Sequence, residues 1–133
     1  MRVLKFQDLE IWKLSIKITK RVYDFTARVR FSHDFALRDQ LRRSIISISS
    51  NIVEGFEKNN NNEFVRFLRI AKGSAGEALN QLEISCIVGY ITQEELESAS
   101  EELKLLMRQI GSFISYLIKT KKLTNLKTYK QTR

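Results

Sequence analysis

Apolar residues recur along this chain at steps of three and four, the spacing of a helix with one buried face. The plainest run comes last. Leu96, Ala99, Leu103, Leu106, Ile110, Phe113 and Leu117 alternate the two steps and form a heptad seam. Ahead of it, Phe64, Leu68, Ala71, Ala75, Ala78 and Leu82 repeat the pattern, and Leu41, Ile45, Ile48, Ile52 and Phe56 mark a further helix. The first helix carries two adjacent stripes, one of Leu9, Trp12, Ile16 and Tyr23 and one of Ile11, Ile18, Val22 and Phe25, so its apolar face is wide. The spacing predicts helices over 8–28, 34–58, 61–88 and 93–121.

The polar stretches between these runs read as caps. In SSNIVEGFEKNNNNEF, Asn60 and Glu63 take the N-x-x-E form of a capping box just ahead of Phe64, and Asn59 supplies a left-handed stop. The four asparagines are then a tight turn, not a low-complexity linker. In VGYITQEE, Gly89 suits a left-handed stop and Thr92 with Glu95 forms a T-x-x-E box. The stretch RVRFSHDF links the first two helices. Short connections make long helices antiparallel neighbours. The expected fold class is therefore all-α, an antiparallel up-down-up-down four-helix bundle over residues 1–122, followed by a basic C-terminal tail over 123–133.

Composition supports one globular domain: 133 residues, 43% hydrophobic and 29% charged, with no proline to break a helix. A lone cysteine, Cys86, excludes an intrachain disulfide or a CxxC metal site. No metal and no cofactor is expected. No leader-like or membrane-spanning apolar stretch occurs, so a cytoplasmic protein away from membranes is expected. The net charge of +8 changes the picture most, because it favours a polyanionic partner, RNA or DNA.

Projection at 100° per residue places Lys13, Lys17, Lys20 and Arg21 outward on the first helix and Arg66 and Arg69 outward on the third, and these are the expected nucleic-acid-binding residues. The tail adds Lys119, Lys121, Lys122, Lys127, Lys130 and Arg133 with no acid among them. Arg38 lies on the apolar face of its helix and Arg42 on its flank, where each needs a partner; Arg43 faces outward. Gly73 and Gly76 share the outer face of the third helix, where a glycine costs roughly 1 kcal/mol against alanine. Met107, Gly111, Ile114 and Ile118 form a second stripe on the last helix, and Phe35, Ile46 and Val53 lie off the seam of the second. This surplus predicts a homo-oligomer whose interface includes Gly73, Gly76, Met107, Gly111, Ile114 and Ile118.

Enzymatic chemistry finds little to stand on. A di-iron bundle needs Glu-x-x-His motifs on facing helices, and the single histidine, His33, lies in a loop. Arg28 to His33, RVRFSH, matches the R-x(4–6)-H spacing of HEPN-type ribonucleases, which is the one catalytic alternative. A protein adaptor with incidental basicity is the other alternative. The expectation is a protein that is not an enzyme.

Three stretches carry a family resemblance: DLEIWKLSIKITKRVYDFT, LRDQLRRSIISISSNIVEGF and EFVRFLRIAKGSAGEALNQL. From about Phe6 to Lys119 the chain resembles the four-helix-bundle proteins of the 23S rRNA intervening-sequence (S23) family, a family similar to the accessory variability proteins of diversity-generating retroelements. The resemblance implies a ring-shaped homopentamer with a basic surface that binds nucleic acid without catalysis. It also implies a possible place beside an rRNA insertion or a reverse transcriptase partner. The family pattern has proline in S-I-P-S-N, where this chain has Ser49. Ser49, Ser50 and Asn51 fall in that signature stretch, and Ser49 and Asn51 are expected to hydrogen-bond across helices.

Overall fold

A computed structural model of the protein describes residues 3–123, with side chains described through Thr120. The segment 124–133, most of the basic tail, lies outside the described residues. Regular structure among the described residues is entirely helical. A 3-10 turn, Phe6–Asp8, leads into α1 (Glu10–Thr26), α2 (Val29–Ser32), α3 (Phe35–Glu57), α4 (Asn61–Ile87) and α5 (Gln93–Leu123).

The four long helices lie where the spacing places them. The fifth, α2, is a single turn inside the stretch read as a plain link. The predicted caps account for the boundaries. Asn60 Oδ1 accepts from the Glu63 backbone N–H at 3.0 Å, and Asn59 has a φ of 54°. Thr92 and Glu95 bond reciprocally, with Glu95 N–H donating to Thr92 Oγ1 at 3.1 Å and Thr92 N–H donating to Glu95 Oε1 at 2.9 Å. Gly89 adopts a φ of 87°. Asp34 caps α3 by accepting from Leu37 N–H, and α3 runs unbroken past Ser49, where the family pattern has its proline.

Around the bundle, α1 packs on α3 and α5, and α4 packs on α3 and α5. Several bonds fix the register. Asn61 at the start of α4 donates to the Leu117 carbonyl near the end of α5 at 3.1 Å. Ser47 Oγ and Ser74 Oγ lie 2.9 Å apart between α3 and α4. Arg21 late in α1 meets Glu102 early in α5 at 2.9 Å.

Two features of the seams differ from the sequence reading. On α1 the core stripe is Ile11, Ile18, Val22 and Phe25, whereas Ile16 and Tyr23 of the other stripe are exposed. On α5 the heptad steps hold through Ile110, after which Ile114 is buried and Phe113 only half-buried. An α-helix turns every 3.6 residues, so a strict 3.5-residue repeat drifts off the core after a few turns, and a second step of four restores it. Ile114 therefore belongs to the protomer core and not to the outer stripe in which the sequence placed it.

The α3–α4 contact is the closest in the molecule that a glycine makes necessary. A Cβ on Gly55 would stand 2.8 Å from Phe64 Cδ1, 2.9 Å from Phe67 Cβ and 3.3 Å from Phe64 Cα. Phe64 is fully buried against Phe56 and Phe113, so its ring has nowhere to retreat. Gly55→Ala should destabilise the fold by about 1–3 kcal/mol despite its better helix propensity, because overpacking outweighs the gain of about 1 kcal/mol. Gly73→Ala, with nothing within 4 Å of the added carbon, should stabilise it by up to about 1 kcal/mol. Urea denaturation of the two variants checks the opposite signs; destabilisation by both would show that Gly73 is constrained too.

Candidate nucleic-acid interface

The cations of α1 are outward, but most of their charge is already answered. Glu102 projects from α5 toward α1, and both Lys17 Nζ (3.1 Å) and Arg21 Nη1 (2.9 Å) reach it. Lys13 pairs with Glu10 and Lys20 with Asp24 along the helix, each at 3.3 Å. Arg21 is moreover only 28% exposed and stacks over the Phe25 ring, so it is not the outward cation the projection suggested. Burial pushes the Glu102 carboxyl up, but hydrogen bonds from Arg21 and Lys17 outweigh it and hold the group below the ordinary range.

The α4–α5 face is different. No acid occurs from Phe64 to Gly76 or from Leu103 to Leu123, and the Asn61–Leu117 bond sets these two stretches side by side. Exposed Arg66, Arg69 and Lys72 come from α4, and exposed Lys104, Arg108 and Lys119 come from α5. Of the six only Arg66 has an ion-pair partner among the described residues, Glu63 at 3.1 Å. A cleft of ≈ 640 Å³ lies on this face, lined by Val65, Arg66, Arg69, Ile70 and Ile118 together with Asn62. Single-helix projection found Arg66 and Arg69 but missed Lys72, Lys104 and Arg108; the missing signal was the pairing of two acid-free stretches.

Glycines texture the same face. Gly73 and Gly76 have no atom within 4 Å of an added Cβ, so the α4 surface is bare there. Gly111 is covered, because the Lys72 amine would stand 3.6 Å from its Cβ. Met107 is half-buried and Ile118 exposed beside them. Apart from the buried Ile114, the expected nucleic-acid and oligomer residues of α4 and α5 thus share one surface.

The arginine cluster is divided. Arg38 donates to Asp39 at 2.8 Å and to the Ser32 carbonyl at 3.0 Å. Arg42 donates to Thr26 Oγ1 at 2.8 Å and stacks over Tyr23. Of these three only Arg43 is exposed, with no ion-pair partner among the described residues. In the signature stretch, Ser49 and Asn51 do not bond across helices. Ser49 donates to the Ile46 carbonyl, and Asn51 donates to Ser47 on its own helix at 2.8 Å. Ser47 makes the cross-helix contact to Ser74.

Arg28, the arginine of the R-x(4–6)-H spacing, is committed elsewhere. Both its terminal nitrogens donate to the Glu95 carboxylate, with one bond of 2.9 Å, and one also donates to the Tyr90 carbonyl. His33 is exposed at the end of α2. Tyr90 OH donates to Asp34 at 2.9 Å, which completes the tie between α2 and the α4–α5 turn. Among the described residues no group of three His, Cys, Asp or Glu is placed to hold a metal, and no helix is long and apolar enough to cross a membrane.

Arg28 and the Thr92 cap hold the Glu95 carboxyl well below its ordinary 4.5, at about 2. A depressed carboxyl stabilises the fold above its unfolded pKa and loses that contribution as pH falls through the folded one. Glu95→Gln should therefore lower stability at neutral pH, and the gap to the parent should close between about pH 4.5 and pH 2. Denaturation midpoints across that window check it; a gap independent of pH would mean that the ion pair contributes nothing.

Comparisons with known proteins now bear on this arrangement. The family model described as 23S rRNA-intervening sequence protein matches residues 7–112. No curated protein matches. Among solved structures, the chain is similar to a protein of unknown function from the S23 ribosomal protein family of Bacteroides thetaiotaomicron. That likeness has a TM-score of 0.71 at 28% identity and covers 78% of this chain and 97% of that one. The match spans α1 to α4 and most of α5, and by it this chain belongs to the 23S rRNA-intervening sequence protein family.

Proposed function

We propose that this protein is a non-catalytic, oligomeric helical-bundle protein that holds RNA or DNA by its phosphate backbone. The α4–α5 face carries the reading, because all of its exposed cations but Arg66 lack an ion-pair partner among the described residues. Unpaired guanidinium and ammonium groups exchange condensed counterions for phosphates, and this makes binding strong at low salt and weak at high salt. Bases are read little. Phe31, Phe56 and Phe64 are fully buried, and the exposed Phe35 and Tyr23 rings already carry Arg38 and Arg42 over them, so none offers a free stacking platform.

The four long helices form an antiparallel up-down-up-down bundle in this reading, and the bundle assembles as a homopentamer of the kind the family resemblance implies. Five copies of a +8 chain carry about +40, concentrated on one continuous surface. The bare backbone at Gly73 and Gly76 suits close approach by a neighbouring copy or a phosphate backbone. The α1 cations Lys13, Lys17, Lys20 and Arg21 serve at the rim, since each shares its charge with a carboxylate. An rRNA insertion or a retroelement reverse transcriptase is the setting in which such an accessory protein acts.

Ile16, Tyr23, Ile46 and Phe35 are exposed apolar residues on α1 and α3. They favour a second reading, an oligomeric adaptor whose partner is a protein.

Binding of structured RNA and duplex DNA at several salt concentrations separates the two. Charge reversal of Arg69, Lys72 and Arg108 together should weaken binding at least about tenfold and flatten its salt dependence. Reversal of Lys17, Lys20 and Arg21 should cost less binding and more stability, because it sets like charges against Glu102 and Asp24. Absence of binding at low salt would leave the adaptor reading. Light scattering should give a mass near five times the 15.6 kDa of one chain, and a monomer would remove the assembly.

A further inference from the structure

A second cleft lies away from the α4–α5 face, between the start of α1 and the end of α3, with a volume of ≈ 650 Å³. Its floor is half-buried Phe6, Trp12 and Val53, and exposed Ser50, Glu54 and Glu57 stand on its rim. The Phe6 and Trp12 rings meet edge-to-face at 5.4 Å and 67°, making an aromatic corner. Neither Glu54 nor Glu57 has an ion-pair partner among the described residues, and Lys58, also on the rim, leans over the Phe67 ring. Ring faces carry negative potential, and an apolar floor takes an aliphatic stem. An aromatic corner beneath two unpaired carboxylates therefore has the chemistry that accepts a lysine or arginine side chain.

We propose that this cleft docks the chain's own C-terminal segment, Thr124 to Arg133, through its cations Lys127, Lys130 and Arg133. Charge complementarity is one argument: the segment TNLKTYKQTR has three basic residues and no acid. Position is the other. The Leu117 carbonyl bonds Asn61, three residues beyond Lys58, so α5 runs out at the end of the bundle where the cleft lies. Ten residues reach at most roughly 33 Å. Neighbouring helix axes lie about 8–10 Å apart, so a diagonal crossing from α5 to α3 is about 14 Å and well within that reach. Docking would withhold three cations from polyanions until salt or a competing anion frees them.

Trp12 is the one tryptophan of the chain and forms part of the cleft floor, so its quenching by acrylamide, a neutral probe, reports occupancy in the full-length protein. At low salt the parent should be shielded. The tail reversal K127E/K130E/R133E should raise the quenching constant about twofold, as should high salt. The rim reversal E54K/E57K should do the same, and the two reversals combined should restore shielding. Circular dichroism confirms that each variant keeps its helices; a rim variant that loses them leaves the decision to the tail reversal, which changes no residue of α1 to α5. Quenching unmoved by the tail reversal overturns the proposal and points to another occupant, such as a second copy. Failure of the folded combined variant to recover shielding overturns it as well.

Discussion

Close approach of α3 and α4 at Gly55 is the constraint on which the other contacts depend. With no side chain at that position, Phe64 and Phe67 lie directly on the α3 backbone. Phe64 then meets Phe56 on one side and Phe113 of α5 on the other, so one missing Cβ sets the spacing of three helices. The tight turn at Asn59 and Asn60 follows from the same demand. A pair of helices this close leaves room for a short connection only, and a left-handed residue followed at once by an N-cap supplies it.

With that hairpin fixed, the distribution of charge becomes intelligible. At the α1–α5 seam Glu102 of α5 takes up Lys17 and Arg21, while Lys13 and Lys20 are answered by acids of α1 itself. The α4–α5 seam has no acids from Phe64 to Gly76 or from Leu103 to Leu123, and its cations there stay exposed to solvent. Net charge is therefore a poor guide to where a polyanion would lie on this molecule. The pairing of helices decides which cations are neutralised, and pairing is a property of the fold.

That distinction explains how far the sequence could be read. Helix positions, the Asn60 cap, the reciprocal Thr92–Glu95 box and the left-handed stops were legible because each depends on residues within four positions of one another, although Glu63 turns to Arg66 and leaves the Asn60 box half formed. The outer placement of Gly73, Gly76, Arg66 and Arg69 was legible for the same reason. Arg21 was not, since its partner lies 81 residues away, and neither was the joint face of Lys72 and Arg108. Ile114 was misplaced because a repeat of 3.5 was extended one step too far along a helix of 3.6. For Ser49 and Asn51, the local bond was the available one, because a hydroxyl or amide within a turn of a backbone carbonyl on its own helix finds it first.

Arg28 and Glu95 bear on how the chain folds. Their contact closes a loop of 67 residues, and Arg21 to Glu102 closes one of 81, whereas Ser47 to Ser74 spans 27. Closure entropy rises with loop length, so the α3–α4 hairpin is the cheap nucleus and the α1–α5 seam the late step. Much of that seam's specific bonding is ionic and near the surface, which makes it the line along which the bundle opens first. Native-state amide exchange would show this as a gradient, slowest in the middle of α3 and α4 and fastest in α1. A bundle built this way keeps a local two-helix core at α3 and α4, against which the buried face of α1 and the ionic α1–α5 seam are laid last.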